Sequence, residues 1–382
     1  MRVLVVIYEY PPIGGGGGAA ARDICRGLAK RGHDVKILTA HFKGLPRREQ
    51  DEGVDVIRLP SLRRQLYRAG LPEMGGFVLA SLWAGLHLAR VFPADVIHTH
   101  FAVPSGLSAW ALSRLTKIPY LLTAHLGDVP GGVPDKTGKW FRWVKPFTNP
   151  IWRDAARVVA VSNYTRELAR KHYPVSIQVI PNGVDASALA PRALKVNDPP
   201  RLVFAGRFVR QKNPLMVPRV LATLKDLRWE CVMLGNGALL DETRAEAERL
   251  GLAERFHFPG WVETSDVLNE FSRSDILFMP SRVEGLPVVG VQALACGLAL
   301  VVGQAGGFAD LVADGENGFL HDADDANGLS SSLRSLLSNP SALLSTRQKS
   351  LTLARSFDIE RVVDEYEKTL LSIVESRSST SE

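Results

Sequence analysis

"RVLVVIYEYPPIGGGGGAAARDICRGLAKRGHDVKILTA", residues 2–40, places two short β-rich runs, 2–7 and 34–40, on either side of a glycine run and an alanine-rich segment. A strand, a helix and a second strand in immediate succession predict a βαβ unit. Parallel neighbours require a crossover, and that crossover is usually a helix, so the unit implies a parallel sheet.

The rhythm continues along the chain. "DVIHTH" (95–100), "PYLLTA" (119–124) and "RVVAVS" (157–162) supply further runs with helix-length segments between them. "IQVIPNGVDASALAP" (177–191) brings Pro-Asn-Gly turn chemistry, and "PRALKVNDPP" after it reads as a linker. Beyond it "RLVFAG" (201–206), "ECVMLG" (230–235), "RFHFPG" (255–260), "DILFMP" (275–280) and "LALVVG" (298–303) restart the pattern. A chain of 382 residues exceeds the size at which one core keeps growing. The expected fold is therefore α/β, with two Rossmann-like doubly wound parallel-sheet domains over 1–190 and 191–357. "DIERVVDEYEKTLLSIVE" (358–375) has helical periodicity and is expected to close the second domain or cross back to the first; 376–382 is expected to be a disordered tail. Such sheets bind ligands outside the carboxyl ends of their strands, so a cleft between facing domains is the expected site.

Composition narrows the class. With 46% apolar and 23% charged residues the chain is globular, not fibrous or disordered. Cys25, Cys231 and Cys296 sit in apolar sequence without a partner at metal-ligand spacing, which predicts buried free thiols and a reducing cytoplasm. The first apolar run ends at Tyr8 and Glu9, too short for a signal-peptide core, and export is not expected. Met74 to Ala89 lacks formal charge but falls short of a membrane span, and a helix buried in its domain is expected there.

Charge is divided unevenly. Residues 1–190 hold 25 Lys and Arg against 14 Asp and Glu, and the remainder holds 21 against 26. The first half is expected to meet something anionic. Cations cluster with aromatics in "RLPSLRRQLYR" (58–68), which includes Arg63 and Arg64, and in "KTGKWFRWVKPF" (136–147), which includes Lys139, Trp140, Arg142, Trp143 and Lys145. Either stretch suits a membrane interface, rings inward and cations toward lipid phosphate; a solvated basic helix packing its tryptophans on the domain is the plain alternative. No motif points to nucleic acid.

Four stretches carry chemistry. Gly14 to Gly18 precede a helix start, where glycines let backbone N–H groups approach a phosphate or sugar, although a purely structural loop would look the same. A dinucleotide fingerprint forced onto Gly14, Gly16 and Ala19 fails, because the loop is too long and "KILTA" ends without the acid that holds a ribose. In "GRFVRQKNP" (206–214), Arg207 and Lys212 lie on a loop expected to open a helix at Pro214, a fork and a point charge converging on a diphosphate. His125 follows a strand in "LTAHLGDVPGG", a place where a histidine alone is more often structural than functional. "EGLPVVGVQALACG" (284–297) sets Glu284 eight positions before Gln292.

Taken in order, the glycine loop, "AVSNYTRE", "VIPNGVD", "GRFVRQKNP", "VMLGNGALL", "HFPGWV", "PSRVEGLPVVGVQALACGLALV" and "GGFADLVADGENGFL" resemble the retaining glycosyltransferases of family 4, over about residues 1–375. The resemblance implies the GT-B fold, two Rossmann-like domains facing each other across a cleft that closes over its donor. It implies that Arg207 and Lys212 bind the diphosphate of a nucleotide sugar and that Gly206 and Gly235 belong to the donor site. Pro259, Gly260, Trp261 and Val262 would line the base pocket largely through backbone. Gly15 and Gly16 would bring backbone near the diphosphate and acceptor, and His125 would lie near the transferred sugar. Glu284 matches the first glutamate of the family's E-x7-E motif and would touch the donor sugar, with Gly285, Leu286, Pro287 and Val288 offering backbone groups at a helix start. Gln292 stands where many members carry the second, ribose-binding glutamate. An amide still holds a hydroxyl pair but loses a charge-assisted bond worth about 1 kcal/mol more than a neutral one. Asp310 falls where a glutamate is usual.

The implied activity is transfer of a sugar from a nucleotide diphosphate sugar, uridine slightly favoured over guanosine, to an acceptor hydroxyl with retention. No metal or cofactor is implied, and the departing phosphate would take the acceptor proton. A lipid-linked or polysaccharide intermediate of envelope glycan or exopolysaccharide synthesis is the expected acceptor, met in the cytoplasm at the inner face of the membrane. A nucleotide-sugar epimerase of similar architecture and a non-catalytic sugar-nucleotide-binding partner are the alternatives; Gln292 favours the last.

Overall fold

The computed structural model describes residues 1–65, 69–133 and 141–378. The chain divides into two compact units, Met1–Gly183 with the segment from Ile359 onward, and Val184–Asp358. The boundary thus falls seven residues before the expected 190, and the C-terminal helix groups with the first unit.

The first unit is built on β1 (Arg2–Val6), β2 (Asp34–Ala40), β3 (Arg48–Asp51), β4 (Val54–Leu59), β5 (Val96–His100), β6 (Tyr120–Ala124), β7 (Arg157–Ala160) and β8 (Gln178–Val179). They lie in the order β3-β4-β2-β1-β5-β6-β7-β8, all parallel except β3, which runs antiparallel to β4. Alternate residues of β1 enter two separate cores: Val3 and Val5 join Ile24, Leu28 and Val363, while Leu4 and Val6 join Phe77 and Leu112. A strand buried on both faces reads as an unbroken apolar run, and for that reason β1 is legible. By contrast β3, β4 and β8 are not. The sequence of β3 is "REQD", held by ladder bonds and by polar links such as Arg58 to Glu49 at 2.5 Å and Gln50 to Asp55 at 2.7 Å.

Helices cover the sheet: α1 (Gly16–Lys30), α2 (Leu71–Val91), α3 (Leu107–Thr116) and, after the second unit, the C-terminal helix Ile359–Ser378. That last helix buries Val362, Val363, Tyr366, Leu370 and Ile373, a spacing of three and four that presents one stripe to the sheet and to α1. A Cβ at Gly27 of α1 would collide with Val363, so glycine is what permits the close approach. Arg31 then grips the same helix through Asp364 at 2.5 Å, Glu367 at 2.8 Å and Glu360 at 3.0 Å.

The expectation of a buried helix at 74–89 is corrected. Only Phe77, Ser81 and Gly85 of α2 are buried, and Leu79 and Trp83 are 72% and 76% exposed. One stripe at a spacing of four packs inward, Phe77 edge-on to Tyr8 and Gly85 beneath Leu112, and the opposite face is apolar yet uncovered within the unit.

The second unit carries β9 (Arg201–Ala205), β10 (Glu230–Leu234), β11 (Phe256–Gly260), β12 (Ile276–Met279), β13 (Ala299–Gly303) and β14 (Gly318–His321) in the order β11-β10-β9-β12-β13-β14, all parallel. The sequence pattern yields the first five; β14 is a short "GFLH" with little apolar signal. The proline-rich stretch read as a linker is pinned to this sheet. Buried Asp275 accepts from the backbone N–H of Asn197 (3.2 Å) and Arg201 (2.8 Å) and from Asn197 Nδ2 (2.8 Å), and it pairs with buried Arg347. All three cysteines are free and buried, as their apolar surroundings predict.

Candidate functional site

The residues singled out from the sequence gather at the carboxyl ends of the strands of each unit. In the second unit β9 runs into Gly206 and the exposed Arg207, then into a 3₁₀ turn over Arg210–Lys212. A helix does not begin at Pro214 as expected. Asn213 takes a left-handed conformation at φ +50°, its Nδ2 donates to the carbonyl of Ala323 at 2.8 Å, and the helix starts only at Met216.

The turn after β9 is fastened to the loop after β12. Arg282 N–H donates to Gln211 O at 2.8 Å, and Gln211 Nε2 donates to Val283 O at 2.8 Å. These bonds deliver Lys212 to Glu284, Nζ to Oε1 at 2.5 Å, with the two side chains only 13% and 7% exposed. Glu284 is thus a buried carboxylate with a cationic partner, as a buried charge requires. Gly285 follows, Leu286 and Pro287 are buried, and a helix runs over Val288–Ala295 with Pro287 at its N-cap. Gln292 is half-buried on that helix.

Glycines hold these loops together by letting backbone meet backbone. A Cβ at Gly235, itself at φ +128°, would strike the carbonyl of Gly206, and one at Gly307 would strike that of Gly285. Gly307 N–H donates to Glu284 O at 3.0 Å, and Gly235 N–H to Gly260 O at 2.8 Å. Pro259 and Gly260 (φ +82°) end β11, and Trp261, 56% exposed, and Val262 follow it. Asp310 ends a 3₁₀ turn over Gly306–Asp310 and is half-buried.

In the first unit the glycine run does not precede the helix but starts it: Gly15 is the N-cap and Gly16 to Gly18 form the first turn of α1. The N–H groups of Gly16 and Gly17 therefore have no intrahelical acceptor. A Cβ at Gly15 would meet nothing within 4 Å, whereas one at Gly17 would lie 2.8 Å from Phe101 Cζ and 3.2 Å from His125 Nδ1. At Gly17, therefore, glycine is a packing requirement imposed by Phe101 and His125.

His125 is almost wholly buried at the end of β6, its ring stacked 4.3 Å from that of Phe101. Its N–H donates to Asp128 at 2.7 Å, and its Nε2 lies 3.4 Å from His100 Nδ1. His98 stands one strand residue pair away, ring centroids 4.3 Å apart from His100, and meets Thr123 Oγ1 at 2.9 Å; Thr123 in turn meets the Tyr366 hydroxyl at 3.4 Å. Burial disfavours every imidazolium here. It pushes His125 down to about 4, His98 to about 3 and His100 well below its ordinary value, and it raises the Asp128 carboxyl to about 8. At neutral pH His125 is a neutral hydrogen-bonding ring. His98, His100, Asp128 and Tyr366 went unread in the sequence; the available signal was His-x-His in "DVIHTH", two histidines on one face of a strand.

The basic residues assigned to an acceptor or membrane surface separate. Arg63 is buried, its guanidinium 4.7 Å from the Tyr8 ring and 3.5 Å from Glu9, so it is no surface cation. Arg64 is exposed, and Lys145 is half-buried with Nζ 3.4 Å from His172 Nδ1. Lys139 and Trp140 lie outside the described residues, as do the side chains of Arg142 and Trp143. Among the described residues no group of three or more His, Cys, Asp or Glu is arranged to hold a metal ion.

Comparison with known proteins covers both units. Residues 14–188 match the family model described as Glycosyltransferase Family 4, and residues 187–351 that described as Glycosyl transferases group 1. An uncharacterized glycosyltransferase of Methanocaldococcus jannaschii is 25% identical over 365 residues, 95% of this chain and 96% of the relative. Sucrose-phosphate synthase from Thermosynechococcus elongatus superposes with a TM-score of 0.85 at 19% identity, covering 98% of this chain and all of that one. Anabaena HepE in complex with UDP does so at 0.78 and 17%, covering 97% of this chain and all of that one.

Proposed function

Because the chain belongs to the family 4, group 1 glycosyltransferases and has their GT-B fold, we propose that it moves a sugar from a UDP-sugar to an acceptor hydroxyl with retention and without a metal. The observation that carries this reading is the Lys212–Glu284 pair, set beside Arg207 and the backbone turn Gly285–Val288 at the carboxyl edge of the second sheet. The bond from the anomeric carbon to the β-phosphate oxygen breaks, and the acceptor oxygen bonds to that carbon on the same face. The acceptor proton passes to the departing phosphate. Negative charge grows on that phosphate, and Arg207 and Lys212 are the fixed cations that receive it. Glu284 accepts from the sugar hydroxyls, Gln292 holds the ribose, and neutral His125 supplies a hydrogen bond to the transferred sugar. UDP in the HepE complex supports the choice of base.

The acceptor in this reading is a lipid-linked or polysaccharide glycan intermediate, reached from the cytoplasm, to which the basic first half of the chain is suited. A donor panel scored for nucleotide release, with and without acceptor extract and with EDTA, tests it. Release of UDP that requires acceptor and survives EDTA is expected. Conversion of the donor without acceptor would make the protein an epimerase, and no turnover with tight UDP binding would make it a binding partner.

A further inference from the structure

One face of α2 has no counterpart within its unit. Phe77, Ser81 and Gly85 point inward; on the opposite side Pro72, Gly75, Leu79, Trp83 and Leu86 follow one another at steps of three and four, all exposed. The stripe contains no charge until Arg90 closes it. The only acid of the helix, Glu73, is turned back to accept the Gly70 N–H at 2.9 Å. Leu62, 73% exposed, lies beside Gly76 and extends the apolar area at the helix start. Leu115 of α3, three residues beyond the Leu112 that packs against Gly85 of α2, is 62% exposed. This helix is also the one helix among the described residues long and apolar enough to cross a membrane, yet its inward stripe is committed to the domain, so it cannot leave to do so.

We propose that this face of α2 lies in the interfacial layer of an anionic lipid bilayer, parallel to its plane, with Leu79, Trp83 and Leu86 in the acyl boundary and Arg90, which closes the stripe, at the lipid phosphates. The proposal rests on the reading of a lipid-linked acceptor and names the surface that meets it. A ring such as Trp83, apolar in body and polar at Nε1, suits that layer. Charge selects the bilayer over a second copy of the chain. The first half of the chain carries 25 Lys and Arg against 14 Asp and Glu, a charge that anionic lipid neutralises and that a second copy of the same unit would repel. Arg63 is buried and takes no part in that surface.

The test is co-sedimentation of the full chain with vesicles of phosphatidylcholine and phosphatidylglycerol, beside pure phosphatidylcholine. Binding to the anionic vesicles that weakens with salt, and falls about tenfold in Leu79→Ser/Trp83→Ser, supports the proposal. Arg90→Glu should weaken binding and leave UDP affinity alone. The thermal shift with UDP is read on every variant, so that loss of the fold is not mistaken for loss of the surface. Three outcomes overturn the proposal: wild type ignoring anionic vesicles, the double variant binding as wild type does, or a wild-type dimer that Leu79→Ser/Trp83→Ser splits to monomers in ultracentrifugation. If vesicle binding fails while UDP binding persists, the glycosyltransferase reading stands; if UDP binding fails in wild type, that reading falls whatever the vesicles show.

Discussion

Lys212 and Glu284, seventy-two positions apart, meet at 2.5 Å because the loops after β9 and β12 are bonded to each other through Gln211. Each member neutralises the other in a site with little water. Lys212→Met would strand a buried carboxylate, at a cost of about 3 kcal/mol in stability, while Lys212→Met/Glu284→Gln recovers part of that loss. Turnover is expected to fall about 100-fold or more in both variants, because the fixed cation at the departing phosphate is gone in each. Denaturant melts and donor turnover check this, and full activity in the double variant would remove Lys212 from the mechanism.

Gln292 governs nucleotide affinity in this reading. Gln292→Glu restores a charge-assisted bond and should tighten UDP binding about fivefold, and Gln292→Ala should loosen it by a similar factor. Calorimetric titration with UDP decides, and if neither substitution moves the affinity the assignment of Gln292 to the ribose is wrong.

In the proposed mechanism His100 acts through His125. Its Nδ1 lies 3.4 Å from His125 Nε2 and restrains which way that ring is protonated and turned. His100→Ala is expected to lower kcat about tenfold while leaving UDP affinity unchanged, and to move the acid limb of the kcat profile upward. His100→Asn should rescue part of the rate. An unchanged pH profile with a lowered Tm would assign His100 to packing alone.

Acid should weaken the first unit before it reaches the carboxylate range. His98, His100 and His125 titrate lower in the folded chain than unfolded, so the unfolded state binds more protons between about pH 4 and 6.5 and stability falls as pH drops through that window. Asp128, raised to about 8 when folded, works oppositely: its contribution is present at low pH and is lost as pH rises through about 8. Three groups against one leave the histidines dominant below pH 6.5. Thermal melts at pH 7 and pH 5 should show the lower Tm at pH 5, with a smaller difference in His98→Asn, which keeps a hydrogen bond to Thr123.

Gly15 and Gly17 of the glycine run should separate in function. Gly17→Ala presses on Phe101 and His125 and should lower Tm and activity together. Gly15→Ala meets nothing, so it should leave Tm unchanged and weaken donor or acceptor binding only if ligand backbone contact occurs there. Equal losses of Tm from both would mean that the run is structural throughout.

The sequence alone determined the fold class. Strands such as β1 and β9 are buried on both faces, so each announces itself as an unbroken apolar run, and the alternation with helices makes their pairing parallel. It also located Arg207, Lys212 and Glu284 in loops at strand ends, and Gln292 on the helix that follows, through local turn chemistry and the order of motifs. Only the tertiary structure decided which of them meet. Pairing of Lys212 with Glu284, the contact of His100 with His125, and that of Gly17 with the same ring are long-range contacts without a local sequence period. Exposure of one face of α2 and burial of Arg63 were hidden for the same reason: an apolar or a charged side chain states what it prefers, and what covers it depends on elements packed from elsewhere in the chain.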